Sequence, residues 1–139
     1  MILMLMMVSS GGHARDTLVR VNIEDAMTTP DAERALNAGI KFFFGEQEHP
    51  GVDRQLGTYT SNKKTNAFGK SDQKACKWAF LSAMISLQER AVAEGGNAVV
   101  NIHSFYKKHD FSSATEFECG AGAMVAGVTL VGEVVKLVD

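Results

Sequence analysis

The chain has 139 residues, 45% of them hydrophobic and 22% charged, with a formal net charge of −2. This composition is typical of one globular domain with enough chain for a hydrophobic core. A charge so close to neutral gives no electrostatic reason to expect nucleic acid or acidic lipid as a partner.

The first eight residues, MILMLMMV, are all apolar, and small residues follow them up to Ala14. This pattern predicts a secretory signal over residues 1–14, cleaved after Ala14, ahead of a single domain over residues 15–139. Eight apolar residues are too few to span a bilayer, so we expect no membrane span. A buried N-terminal strand is the alternative interpretation. Because the secretory signal is the favoured interpretation, we expect export to the periplasm.

The first part of the domain predicts two strands around a short helix. Residues 17–24 alternate between apolar and polar side chains, as in a half-buried strand. Thr29 can cap a helix that begins at Pro30 and ends before Gly39. Residues 40–44 contain three consecutive phenylalanines and predict a second strand, packed into the core.

The remaining connections follow from polarity and length. Residues 56–60 predict a third strand, and the polar residues 62–70 predict a loop. Residues 107–113 predict a second loop. Residues 115–137 are extended in character but too long for one straight strand, so we expect a break or bulge at Gly120 and Gly122 before the final strand.

The clearest helical pattern covers residues 72–94, which contain no glycine or proline. Ser71 can cap its N-terminus, and the two glycines at 95–96 end it. Its apolar residues fall on two stripes. The first consists of Cys76, Phe80, Ala83, Leu87 and Ala91, and the second of Trp78, Leu81, Ile85 and Val92. A surface helix needs only one such stripe, so the second predicts cover by the N-terminal part of the chain or by another subunit.

Residues 98–106 predict a strand that returns along this helix. Simple alternation places Val100, Ile102 and Tyr106 on one face and Val99, Asn101, His103 and Phe105 on the other. The matching lengths of helix and strand bring Tyr106 near the start of the helix. We expect an α+β fold, with a mainly antiparallel sheet packed on the helix and completed by an N-terminal strand and a short helix.

The two cysteines, Cys76 and Cys119, are expected to meet at one end of the contact between helix and sheet. In an oxidising compartment two such thiols usually pair, so we predict a disulfide. It closes a loop of 43 residues and stabilises the fold by about 4 kcal/mol if it acts through chain entropy.

Metal binding is the competing chemistry. His103, His109, Glu116 and Glu118 have side chains that suit zinc or copper, but no CxxC or HxxxH spacing supports them. The alternative is that these are ordinary surface or capping residues. We also find no catalytic motif, since Gly69 and Lys70 lack the upstream glycine of a P-loop. We predict a protein that is not an enzyme and needs no cofactor.

The residues around the two glycines at 95–96, which end the helix, resemble those of a known family. The sequence AVAEGGNAVVN at residues 91–101, followed by GVTLVGEVVKL at 127–137, resembles the C-terminal half of YbjQ-type and RcsF-type domains. RcsF-type domains imply an envelope stress-sensing role and disulfides. YbjQ-type proteins imply heavy-metal binding and oligomers. The resemblance covers about residues 72–137.

The whole chain, including NKKTNAF at residues 62–68 and CKWAFLS at 76–82, is similar to small exported bacterial proteins often labelled "excinuclease ATPase subunit". The chain has no Walker motif and no paired zinc-finger cysteines, so we do not expect ATPase activity.

The leading hypothesis is a non-enzymatic periplasmic domain that binds an envelope protein or component, or senses stress. The alternative is a metal-handling envelope protein, and either form could be a homo-oligomer.

Overall fold

A computed structural model describes residues 16–139, which form three helices and seven strands. In chain order they are β1 (Thr17–Asn22), α1 (Ile23–Met27), α2 (Pro30–Ala35), β2 (Lys41–Phe44), β3 (Val52–Asn66), α3 (Asp72–Ala93), β4 (Ala98–Tyr106), β5 (His109–Phe111), β6 (Glu116–Ala121) and β7 (Val125–Leu137). The mostly antiparallel sheet and the long helix confirm the α+β prediction. The predicted signal, residues 1–14, lies outside the described residues.

Strand β7 is the centre of the sheet. The strands follow the order β1-β6-β7-β4-β2, while β3 pairs with β7 and β5 pairs with β4. Since β3 and β4 both pair with the same stretch of β7, they lie on opposite sides of it. Among the strands of residues 16–139, only β2 and β4 run parallel to each other.

Helix α3 covers one face of this sheet. Ser71 caps it by accepting a hydrogen bond from the Lys74 amide, and Gly95 ends it in the left-handed conformation at φ 77°. The first stripe is fully buried, as expected. Gly132 leaves room for Val99 in the core beneath the helix, because a Cβ there would lie 2.6 Å from Val99 Cγ1, whereas Leu87 Cδ1 of α3 would be at an ordinary contact distance of 3.5 Å.

The disulfide prediction is confirmed. Cys76 on α3 and Cys119 on β6 are bonded, with their Cα atoms 5.9 Å apart. Next to them the rings of Phe80 and Phe117 stack with centroids 4.2 Å apart. Helix and sheet are therefore joined covalently within the apolar core.

The second stripe is covered in its middle and open at both ends. Leu81 is buried and Ile85 is half-buried, whereas Trp78 and Val92 are 40% and 54% exposed. Gln88 holds the end of α2 against α3, since its amide donates to the Ala35 carbonyl at 2.9 Å. The N-terminal part of the chain thus supplies part of the expected cover, and the subunit alternative stays a prediction for the exposed ends.

Three local predictions were wrong. Residues 62–66 belong to β3 rather than to a loop, because they pair with β7 and leave their polar side chains on an exposed edge. Residues 107–113 include strand β5, which folds back on β4 as a hairpin. The strand expected over 17–24 ends at Asn22, whose side chain accepts from the Asp25 amide and caps α1.

The predicted faces of β4 were also wrong beyond its midpoint. Asn101 has φ 50°, and the pairing with β7 shifts between Val100 and His103. This bulge adds a residue, so Val99 and Ile102 both face α3 while Val100 and His103 face away.

Candidate functional site

A cleft of about 270 Å³ lies at the end of the sheet where β7 begins. We call it the Tyr106 cleft. Its lining includes Asp16, Lys64, Tyr106, Lys107, Met124 and Val125, together with Gly122, Ala123 and Gly127. The start of β1, the end of β4, the end of β3 and the β6–β7 turn therefore meet there.

Glycines seat the Tyr106 ring against the sheet. A Cβ at Gly120 would lie 2.1 Å from Tyr106 Cζ, and one at Gly127 would lie 3.1 Å from Cε2. Any side chain at Gly120 would therefore displace the ring. Gly120, which we predicted as a strand break, instead lies within β6, where it gives the cleft a flat aromatic wall.

An acid, a phenol and an amine hold one another beside this wall. The Tyr106 hydroxyl donates to Asp16 Oδ1 at 2.9 Å, and the Lys107 ammonium group pairs with Asp16 Oδ2. The hydrogen bond from Lys107, and then that from Tyr106, lowers the pKa of Asp16. Burial, and then the bond to Asp16, raises the pKa of Tyr106. Asp16 likewise raises the pKa of Lys107.

Lys64 is the cation of the cleft that this network does not neutralise. Within residues 16–139 it forms no ion pair or side-chain hydrogen bond, although its charge contributes to the lowered pKa of Asp16. With Asp16 and Lys107 offsetting each other, the lining carries one net positive charge at neutral pH. The cleft thus favours an anionic group.

Exposed apolar side chains lie beside this charge. Met124 and Val125 are 60% and 48% exposed. The neighbouring turn is held to them because the Ala67 amide donates to the Met124 carbonyl at 2.9 Å, and the next residue, Phe68, is 67% exposed. An apolar patch beside a cation is a common composition for a protein-binding surface.

Of the four predicted metal ligands, His109 and Glu118 contact each other, His103 instead lies beside Asp110, and Glu116 lies opposite Asn22 in the β1–β6 ladder. His103 donates from Nδ1 to the Asn101 carbonyl at 2.8 Å, and its Nε2 lies 3.4 Å from Asp110 Oδ1. His109 contacts Glu118 Oε1 at 2.7 Å. In the part of the chain that the structure describes, no three His, Cys, Asp or Glu side chains are grouped so that they could hold a metal ion.

Glu118 is instead the buried centre of a polar cluster on the face opposite α3. Its carboxylate is 3% exposed and lies 3.6 Å from the Arg20 guanidinium, which stacks over the Phe111 ring at 4.2 Å. With His109 on the other oxygen, the charge is compensated where it is buried. These contacts fasten β5 and β1 to β6.

Two of the four predicted interface residues line a groove on α3, and the interface itself stays a prediction. Trp78 and Leu81 line a groove of about 180 Å³ with Thr29, Asp31 and Lys77, while Ile85 and Val92 lie elsewhere along α3. Sequence reasoning missed Asp16, Lys64 and Lys107 as site residues. The sequence signal that could have predicted the cleft is the pair of glycines at 120 and 127, since both lie in extended segments that could pack against the Tyr106 ring.

No protein-family model, curated protein or solved structure matches this chain. The resemblance to YbjQ-type and RcsF-type domains therefore stays a prediction. Within residues 16–139 no helix is both long and apolar enough to cross a membrane.

Proposed function

We propose that the protein is a non-enzymatic periplasmic domain that binds a polypeptide of the cell envelope through the Tyr106 cleft. The observation that carries the proposal is the unneutralised Lys64 beside the exposed Met124 and Val125. A stress-sensing role, implied by the RcsF resemblance, would consist of reporting the occupancy of this cleft.

Two further features support this function. The Cys76–Cys119 disulfide suits an oxidising compartment. The mutual bonds of Asp16, Tyr106 and Lys107 fix the cleft before any ligand arrives, and such preorganisation lowers the entropic cost of binding.

Site-directed photo-cross-linking in cells tests the proposed site. A photoreactive residue at Met124 should give a discrete adduct with an envelope protein, because this side chain borders the cleft and is exposed. The matched control is Val138, which is 48% exposed but lies beyond the opposite end of β7 from the cleft. Equal adducts from both positions, or none from Met124, would contradict the proposal.

Export is tested separately. N-terminal sequencing of the protein recovered from the periplasmic fraction should give a chain that begins at Arg15, because cleavage is predicted after Ala14. Recovery of the uncleaved chain from the cytoplasm would exclude a periplasmic partner.

Metal handling stays the second prediction from the sequence. Of the predicted ligands, His109 and Glu118 come nearest to a metal site, because their side chains are already in contact. Titration of the oxidised protein with zinc and copper tests it, and binding tighter than about 10 μM, in the range of ordinary specific affinities, would favour metal handling over polypeptide binding.

A further inference from the structure

The outer edge of β3 is unpaired in the described structure. Strand β3 has 15 residues and pairs only with β7, and within residues 16–139 no backbone group from another element bonds to its other edge. Residues 58–66 keep one register with β7 throughout. An edge strand of this length, nearly three times the usual strand, is a template for a further strand.

The regular part of this edge has defined ends. On one side the register with β7 shifts between Gln55 and Thr58, where Gly57 has φ 115°. On the other side β3 ends at Asn66, directly before the turn that contacts Met124. The footprint available to an added strand is therefore residues 58–66, about 30 Å long at the usual rise per residue.

The charge of this region identifies the kind of strand that would fit. Residues 54–71 include Arg54, Lys63, Lys64 and Lys70 but no aspartate or glutamate, although the whole chain has a net charge of −2. All four cations are exposed. Two copies of the 58–66 edge would bring four positive charges together, Lys63 and Lys64 from each, which disfavours self-pairing. An acidic strand has the complementary charge.

We propose that the ligand is an extended acidic segment of another polypeptide, which adds to the sheet as a strand along residues 58–66 of β3. Backbone hydrogen bonds would supply affinity, and carboxylates opposite Lys63 and Lys64 would supply specificity. Since these adjacent lysines point to opposite faces of the sheet, a segment with acidic residues on both faces fits best. The inference rests on the proposed function, because Lys64 belongs both to this edge and to the Tyr106 cleft.

The probe is the peptide acetyl-TEETTEETT-amide, whose glutamates lie on both faces of an extended strand, added to the full oxidised protein. We expect saturable binding and slower amide hydrogen exchange in residues 58–66. Acetyl-PEEPPEEPP-amide carries the same four charges but lacks amide protons along both edges of the strand, so it should bind at least tenfold more weakly. Absence of saturable binding up to about 1 mM, the weak limit for specific contacts, would overturn the proposal.

A pair of matched double variants tests the charges. Lys63→Glu with Lys64→Glu should weaken binding of the threonine–glutamate peptide at least tenfold, while Lys41→Glu with Lys74→Glu, which changes two exposed lysines elsewhere, should not. Equal weakening by both would show a general charge effect and refute the edge. Equal protection of residues 58–66 by a single-stranded DNA of the same charge would also refute it, since a polyanion makes no strand ladder.

The outcome is separable from that of the proposed function. If the peptide leaves exchange in residues 58–66 unchanged while Met124 still gives its cellular adduct, the cleft binds a partner by another mode and strand addition is wrong. If the peptide protects residues 58–66 and Met124 gives no adduct, the edge accepts a strand and the assignment of the cleft is wrong.

Discussion

The interior under α3 and the surface at the Tyr106 cleft each contain a glycine that leaves room for a neighbouring side chain, but the two glycines serve different purposes. In the interior, Gly132 leaves room for the Val99 side chain in the layer between the sheet and the helix. At the surface, Gly120 leaves room for the Tyr106 ring, which stays half-exposed beside charged groups. The first glycine serves packing density and the second serves a preformed wall. Stability and binding are therefore assigned to different parts of the molecule, and mutations should separate them.

The largest expected effect concerns the disulfide in the interior. Replacing both Cys76 and Cys119 by alanine should lower the free energy of unfolding by about 4 kcal/mol, because the unfolded chain regains the freedom of a 43-residue loop. Denaturant titration measures it. Wild-type protein unfolded under reducing conditions is the control and should lose a similar amount. A loss below about 1 kcal/mol would show that the bond adds little to the interior.

The next effect tests close packing under α3. Gly132→Ala should cost about 1–3 kcal/mol, because the new methyl group would overlap Val99 in a core without slack. Gly51→Ala is the matched control, since a Cβ there meets only Val138 Cγ2 at an ordinary 3.7 Å. Equal stability of the two variants, measured by thermal or denaturant unfolding, would contradict the comparison.

A smaller effect is expected at the cleft. Gly120→Ala should destabilise the protein by about 1 kcal/mol, since a surface ring can move aside at less cost than a core side chain. The same change in a Tyr106→Ala background should be nearly neutral, because the obstructing ring is gone. A double-mutant cycle measures this coupling, and additive effects would show that Tyr106 does not lie on Gly120.

The smallest effect is a pKa change at the cleft. Asp16→Asn should lower the pKa of Tyr106 towards its ordinary 10.0, because the carboxylate that favours the neutral phenol is removed, while the contribution of burial remains. Ultraviolet titration in a Tyr59→Phe background follows Tyr106 alone. A pKa that stays the same or rises would contradict the hydrogen bond between the two groups.

The same network sets the sign of two pH effects on stability. Asp16 has a lowered pKa in the fold, so its contribution is present above the ordinary value of 3.8 and is lost as the pH falls through its lowered pKa. Tyr106 and Lys107 have raised pKa values, so their contributions are present below about 10 and are lost at higher pH. Asp16→Asn should slightly reduce the dependence of stability on pH at both the acidic and the alkaline end, and the change should be small because these groups are mostly exposed.

The interior was predictable because it follows from local signals. The cap at Ser71, the glycine stop and the buried stripe of α3 each depend on neighbouring residues, and these fixed the helix, the strand after it and hence the Cys76–Cys119 pairing. The Tyr106 cleft was not predictable in this way. Its groups come from four separate segments, and only the register of the sheet brings Asp16 and Lys64 to Tyr106.

The errors have a related cause. Residues 62–66 read as a loop because an edge strand can be polar on both faces when only its inner edge is paired. The faces of β4 were misassigned because one bulge residue, Asn101, inverts the alternation beyond it. Neither the pairing partner nor the bulge leaves a clear mark in a single sequence.

Residue-resolved amide hydrogen exchange with and without the threonine–glutamate peptide tests the central claim most directly. Without peptide, amides of α3, β4 and β7 should exchange slowest, since they lie in the disulfide-bonded interior. With peptide, new protection should appear along residues 58–66 and at the β6–β7 turn. Protection confined to α3 around Trp78, with residues 58–66 unaffected, would contradict the account.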